Sequence, residues 1–272
     1  MTTLQLPWRG RARQARSLAT LRPVVLMGRG HSGTRVLSWL CAHLGVRLGS
    51  SPAHVTGDPD DLTFTGEIKT LARHNLGVTS TDAVRPGDLR RFRSAVAAFY
   101  ARLGRPTGPW GWKFPETYLI PPYVALTFPG ARILHLVRDG RDVAFKTHLT
   151  DDPRHRLGRA VLAACDATGQ PHHVQAAASW AWQVDRFDAF RAERPLEHVL
   201  DVRFRDLCTA PAEWAERIAE FLELPMTPAC RDYVAHGIDA RKVGQYRSED
   251  PALVREAEQR AAPTLARYRF IA

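Results

Sequence analysis

A short apolar run, Val24-Val25-Leu26-Met27, ends at Gly28 and is followed by Arg29-Gly30-His31-Ser32-Gly33-Thr34. Contiguous apolar residues bounded by glycine read as a strand buried on both faces. Beyond the glycines, Val36, Leu37, Leu40, Cys41 and Leu44 recur at helical spacing, and Gly45 supplies a stop. Strand, glycine-rich turn and helix in that order aim the first helical N–H groups, and the positive end of the helix dipole, at whatever lies over the turn. The pattern calls for a parallel sheet with an anion site at its carboxyl edge.

The rest of the chain repeats the alternation. Ser50 to Asp61 reads as a loop, and Glu67 lies on or just before a helix through Ile68, Leu71 and Ala72. A helix from about Leu89 to Leu103 is broken at Pro106–Pro109, and Trp110 to Glu116 is a short strand ending in a turn. Ile133 to Val137 is a buried strand, and Arg138 to Ala144 a charged turn opening a helix. Thr150 to Gln175 reads as irregular, a long helix spans roughly Ala176 to Arg191, and Val199 to Val202 is a further strand. The expected fold is α/β, a single three-layer domain over residues 23–272 with a mostly parallel central sheet and a P-loop. Residues 1–22, with Arg9, Arg11, Arg13, Arg16 and Arg22 and no acid, read as a basic, mobile N-terminal arm.

Composition narrows the function. The four cysteines form no Cys-x-x-Cys pair, which disfavours a disulfide framework or a zinc site and points to a reducing, cytoplasmic setting. His155, His172 and His173 form no ligand pattern, so no metal is expected. No apolar run approaches the roughly 20 residues of a membrane span. The net charge of +10 favours anionic partners. The arginines are scattered rather than gathered in one stripe, and no nucleic-acid motif occurs; a phosphate-rich small substrate explains the charge equally well, and charge alone does not decide.

Ligands of parallel sheets sit beyond the carboxyl ends of the strands. Three segments meet that rule: the turn after Met27, Arg138 after Val137, and Arg203 after Val202. Gly28 and Gly33 have the glycine spacing of an ATP-binding loop, but Thr34 and Arg35 stand where its lysine and Ser/Thr belong, which weakens an NTPase reading.

Taken in order, the motifs resemble bacterial sulfotransferases that use 3′-phosphoadenosine 5′-phosphosulfate (PAPS). They are Gly28-x-Gly30-His31-Ser32-Gly33-Thr34, Lys113-x-Pro115, Leu136-Val137-Arg138-Asp139-x-x-Asp142-Val143, Val202-Arg203-Phe204-Arg205-Asp206-Leu207 with Phe221 to Pro225, and Lys242-Val243-Gly244-Gln245-Tyr246-Arg247. The resemblance covers about Pro23 to Phe270. It implies that Arg29, Gly30, His31, Ser32, Gly33, Thr34 and Arg35 form the loop that cradles the 5′-phosphosulfate. Arg138, with Lys146 and the Lys242, Val243, Gly244 segment, would hold the 3′-phosphate, and Arg203 would be a further cofactor-binding residue. Lys113 would neutralise charge on the leaving oxygen, His31 would act beside it, and Glu67 would be the general base. The co-substrate would be PAPS, the product adenosine 3′,5′-bisphosphate (PAP), and the acceptor a small molecule, lipid or carbohydrate. The chain departs from the family pattern at His31, Arg35 and Lys146, where Lys or Arg, Ser or Thr, and Ser are usual.

Two other readings stand at this point: a small-molecule P-loop kinase, and a nucleotide-binding relative without catalysis. Glu67 also fits a solvated acid near a helix start, Lys113 a strand cap, and Arg203 a structural partner of Asp206 or Asp201.

Overall fold

A computed structural model describes residues 17–49, 61–193 and 198–271. Strand β1 (Val24–Met27) passes through the glycine turn into helix α1 (Thr34–His43). Helices α2 (Leu62–His74) and α3 (Pro86–Arg102) precede β2 (Gly111–Lys113), and a 3₁₀ turn (Pro115–Leu119) and α4 (Pro121–Thr127) lead into β3 (Arg132–Val137). Helices α5 (Gly140–Ala144), α6 (Arg156–Ala164) and α7 (His172–Glu193) come before β4 (Val199–Arg203). Then follow α8 (Phe204–Thr209), α9 (Pro211–Leu222), α10 (Pro228–His236), 3₁₀ turns at Ala240–Lys242 and Gln245–Ser248, and α11 (Pro251–Arg267).

The sheet has the order β2-β1-β3-β4 and every pairing is parallel. Successive strand residues face opposite sides, so a strand covered on both sides must be apolar throughout. Val25 and Met27 pack with Phe64, Phe92 and Trp112 on one side, while Val24 and Leu26 pack with Leu37, Leu40 and Ile218 on the other. A third cluster joins Val137, Val143 and Trp180 to Ala257 and Leu265, seating α5 and α7 on α11. These layers give the three-layer α/β domain expected. They also bring the ends of β1, β2 and β3, the start of α1 and the segment after α10 to one edge.

Two expectations change. The Thr150–Gln175 stretch is not irregular throughout: α6 forms inside it and α7 begins at His172. Leu157, Val161 and Leu162 lie at helical spacing on one face of α6 and are buried, so the segment carries an amphipathic period of its own. Within the stretch expected to be a mobile arm, the described residues from Ser17 on join the core, with Leu18 buried and Leu21 packed against it. Residues 1–16 and the Ser50–Asp60 part of the expected loop lie outside the described residues. All four cysteines are buried, as small apolar side chains. No helix of the described residues is long and apolar enough to cross a membrane.

Candidate functional site

The glycine turn has the geometry that its residues require. Gly33 occupies the N-cap position of α1 with φ +97°, and a Cβ there would lie 2.2 Å from the Phe204 ring. Only glycine meets both demands. Helix α1 has no side-chain cap and no acid in its first turn. Its leading N–H groups are thus left for an external acceptor, and the dipole favours an anion. Ser32 and Thr34 are buried in this turn. His31 adopts φ +66°, a conformation that favours glycine, and its side chain faces outward.

A buried ion pair holds the turn from beneath. Arg29 Nη2 donates to Asp151 Oδ1 at 2.5 Å with both side chains fully enclosed, and Nη1 donates to the Gly30 carbonyl at 2.9 Å. Arg29 therefore enters the site through the shape of the turn, since its guanidinium is committed inside the protein. Above the turn lies His148, whose Cδ2–Nε2 edge occupies the space a Gly30 Cβ would need, 2.2 Å from the Cβ position. His148 also meets the His31 ring edge-on at 5.8 Å. Burial, and then the charges of Arg29, His31, Lys69 and Lys113, hold the His148 imidazole well below its usual pKa. His31 is lowered too, first by burial and then by Arg29 and Lys146, against a hydrogen bond to the Thr147 backbone and the charge of Asp151. In both rings the shift favours the neutral imidazole.

Lys113 ends β2 and is buried beside this group, as is Glu116, whose Oε1 lies 3.8 Å from His148 Nε2. Lys69 reaches in from α2 with its ammonium over the Phe114 ring at 5.6 Å.

Arg138 organises the other half. Its guanidinium stacks on Phe204 at 4.6 Å, Nε donates to Asp142 Oδ2 at 3.1 Å and Nη1 to the His31 carbonyl at 3.4 Å. Nη2 donates to the Lys242 carbonyl and to Gln245 Oε1. Asp142 is buried and accepts from the Gly244 and Tyr246 N–H groups at 3.0 Å each. Gly244 takes φ +73° so that the segment can bend onto this carboxylate. The result is a cleft of about 110 Å³ lined by Arg138, Arg141, Arg205, Arg247, Phe204 and Tyr246, among others.

The structure thus brings together His31, Lys113, Lys146, Arg138 and the Lys242–Gly244 segment around the turn. It does not bring Glu67 there. Glu67 pairs with Arg91 of α3 at 2.9 Å, and two residues from Lys69 is about 200° around a helix. Arg203 pairs with Asp206 at 2.8 Å, and Arg35 is exposed on α1. His148, Asp151 and Lys69 are additions. Arg29 and Asp151 are 122 positions apart, and nothing local in either stretch signals the pairing. Asp142 lies in the Leu136–Val143 motif near the start of α5, a position that by itself gives no sign of the clamp.

The profile of the sulfotransferase family matches residues 23–228. No curated protein sequence matches the chain. Among solved structures, the sulfotransferase domain from the curacin biosynthetic pathway is similar at TM-score 0.54 and 13% identity, covering 90% of this chain and 98% of that one. The sulfotransferase domain of the Synechococcus PCC 7002 olefin synthase gives 0.51 at 15% identity, covering 90% and 94%. Sulfotransferase STF9 from Mycobacterium avium gives 0.54 at 14% identity, covering 95% and 80%. At these identities the likeness is one of fold.

Proposed function

This chain belongs to the sulfotransferase family, and from that premise we propose that it moves a sulfuryl group from PAPS to an acceptor hydroxyl or amine by in-line transfer. The observation that carries the reading is the uncapped, acid-free start of α1, with Lys113 on the strand paired beside β1 and Arg138 bonded to the His31 carbonyl. In the reaction the bond from sulfur to the nucleotide's phosphate oxygen breaks, the bond to the acceptor atom forms, and the acceptor's proton passes to solvent water. Such a transfer depends mainly on positioning and electrostatics, by analogy with phosphoryl transfer. The turn's N–H groups and His31 hold the phosphosulfate. Lys113 neutralises charge on the leaving oxygen, and Arg138 with Lys146 and the Lys242–Gly244 segment holds the 3′-phosphate. The acceptor is a small molecule, lipid or carbohydrate, and no metal enters the mechanism.

The test needs no acceptor. AMP, ADP and ATP lack the 3′-phosphate. Hydrogen bonds to charged groups contribute roughly 1.5–3 kcal/mol each, so two of them separate PAP from ADP by at least ~100-fold in affinity. PAP therefore raises the melting temperature far more than ADP at equal concentration. Arg138→Ala removes most of that preference and leaves the ADP response. Equal responses to PAP and ADP would sink the reading, and the strongest response to Mg²⁺-ATP would favour a kinase.

A further inference from the structure

We propose that His148 is a neutral hydrogen-bond donor to the transferred sulfuryl group, through Nε2–H, and that Thr150 and Gln183 are positioning residues that fix this tautomer. The proposal rests on the sulfuryl-transfer reading above.

The argument is a count of hydrogens in a closed network. Thr150, Ser179 and Gln183 are all buried. Ser179 Oγ donates its one hydrogen to the Thr150 carbonyl at 3.3 Å, so the Gln183 group 3.0 Å from that Oγ must be the donor NH₂. The same Nε2 donates its second hydrogen to Thr150 Oγ1 at 3.3 Å. Thr150 Oγ1 then has one hydrogen to give and two acceptors in reach, His148 Nδ1 at 2.9 Å and Asp151 Oδ1 at 3.5 Å. The contact to Nδ1 is the shorter and so the stronger of the two, and the hydrogen goes there. The Thr150 N–H also points at His148 Nδ1, at 3.4 Å. Two donors converge on Nδ1, so Nδ1 holds the lone pair and the proton of the neutral ring sits on Nε2.

That N–H is directed at the turn. The Cδ2–Nε2 edge rests on Gly30, and the 3.8 Å from Nε2 to Glu116 Oε1 is too long for a hydrogen bond. The charged and titratable groups facing the ring are Arg29 and His31 from the turn, Lys69 from α2, Lys113 from β2 and Glu116 from the 3₁₀ turn, with Asp151 and His172 behind. Among so many cations an imidazolium is disfavoured, whereas a neutral N–H adds a donor without adding charge. The proton stays on Nε2 throughout, and no bond to it breaks. Ring nitrogens fixed this way donate to developing negative charge without acting as a base.

Two measurements test this. Long-range ¹H–¹⁵N spectra of the ligand-free protein should show His148 with Nε2 protonated and Nδ1 bare. Thr150→Val should move it toward a tautomer mixture, and Thr150→Ser should restore it. PAPS carries the sulfuryl group and PAP does not, so the ratio of their affinities reads the donor. His148→Leu should lower the PAPS preference about tenfold or more, while His148→Gln, which can still donate, keeps most of it. A wild-type spectrum with Nδ1 protonated, or a PAPS/PAP ratio unchanged in His148→Leu, overturns the proposal. Failure of both nucleotides to protect the wild-type protein from heat overturns the sulfuryl-transfer reading and the donor role with it.

Discussion

The two halves of the site are built by opposite means. Around the glycine turn the decisive side chains are enclosed: Arg29, Asp151, Thr150 and Gln183 are each 1% exposed or less. Around Arg138 one buried pair, Arg138–Asp142, anchors cations that are otherwise largely at the surface, with Lys242, Arg205 and Arg247 exposed. A buried charge must be matched on the spot, which makes the first half rigid and preassembled. Surface cations keep their hydration and tolerate rearrangement, so the second half depends less on exact charge matching. In the reaction proposed above, that difference would leave placement of the reacting group to the core and recognition of the nucleotide to the surface.

The largest effect expected from this contrast is on stability. Asp151→Asn leaves the buried Arg29 guanidinium without its counter-charge and should cost about 3–5 kcal/mol in urea unfolding. Asp206→Asn removes the partner of the half-exposed Arg203 and should cost under ~1 kcal/mol. Equal losses would erase the distinction between the halves.

Acid should act on the preassembled half next. The folded-state pKa of His148 lies well below 6.5, and that of His31 is lowered as well. The unfolded chain then binds protons that the native state refuses. Stability is therefore full above about pH 6.5 and is lost as the pH falls from there through the folded values. For His148 alone the slope approaches about 1.4 kcal/mol per pH unit within that window. Denaturation of the ligand-free protein from pH 7.5 to 5 reads it, and His148→Gln should flatten it. A slope unaffected by that substitution would mean that the acid sensitivity lies elsewhere.

The smallest effect concerns Glu67, which belongs to neither half. As a general base its loss would cut turnover ~10²–10⁴-fold. As the partly exposed partner of Arg91, Glu67→Gln should change turnover by less than about threefold. A hundredfold loss would return Glu67 to the mechanism.

Much of the frame was legible in the residues themselves. Val24 to Met27 had to be a doubly covered strand, because four adjacent apolar residues satisfy both faces of a sheet. Gly28 to Gly33 had to be a tight turn before a helix, and Arg138 and Lys242 were marked by motifs that the fold does bring together. These are local properties, set by side-chain period and backbone freedom. Tertiary structure alone decided which charges face one another. Asp151 reaches Arg29 only when the loop after α5 folds under the turn, His148 reaches Gly30 only from the same loop, and Glu67 turns to Arg91 because α3 packs beside α2. Long-range pairing depends on how whole elements pack, and the residues around each partner carry no local trace of it.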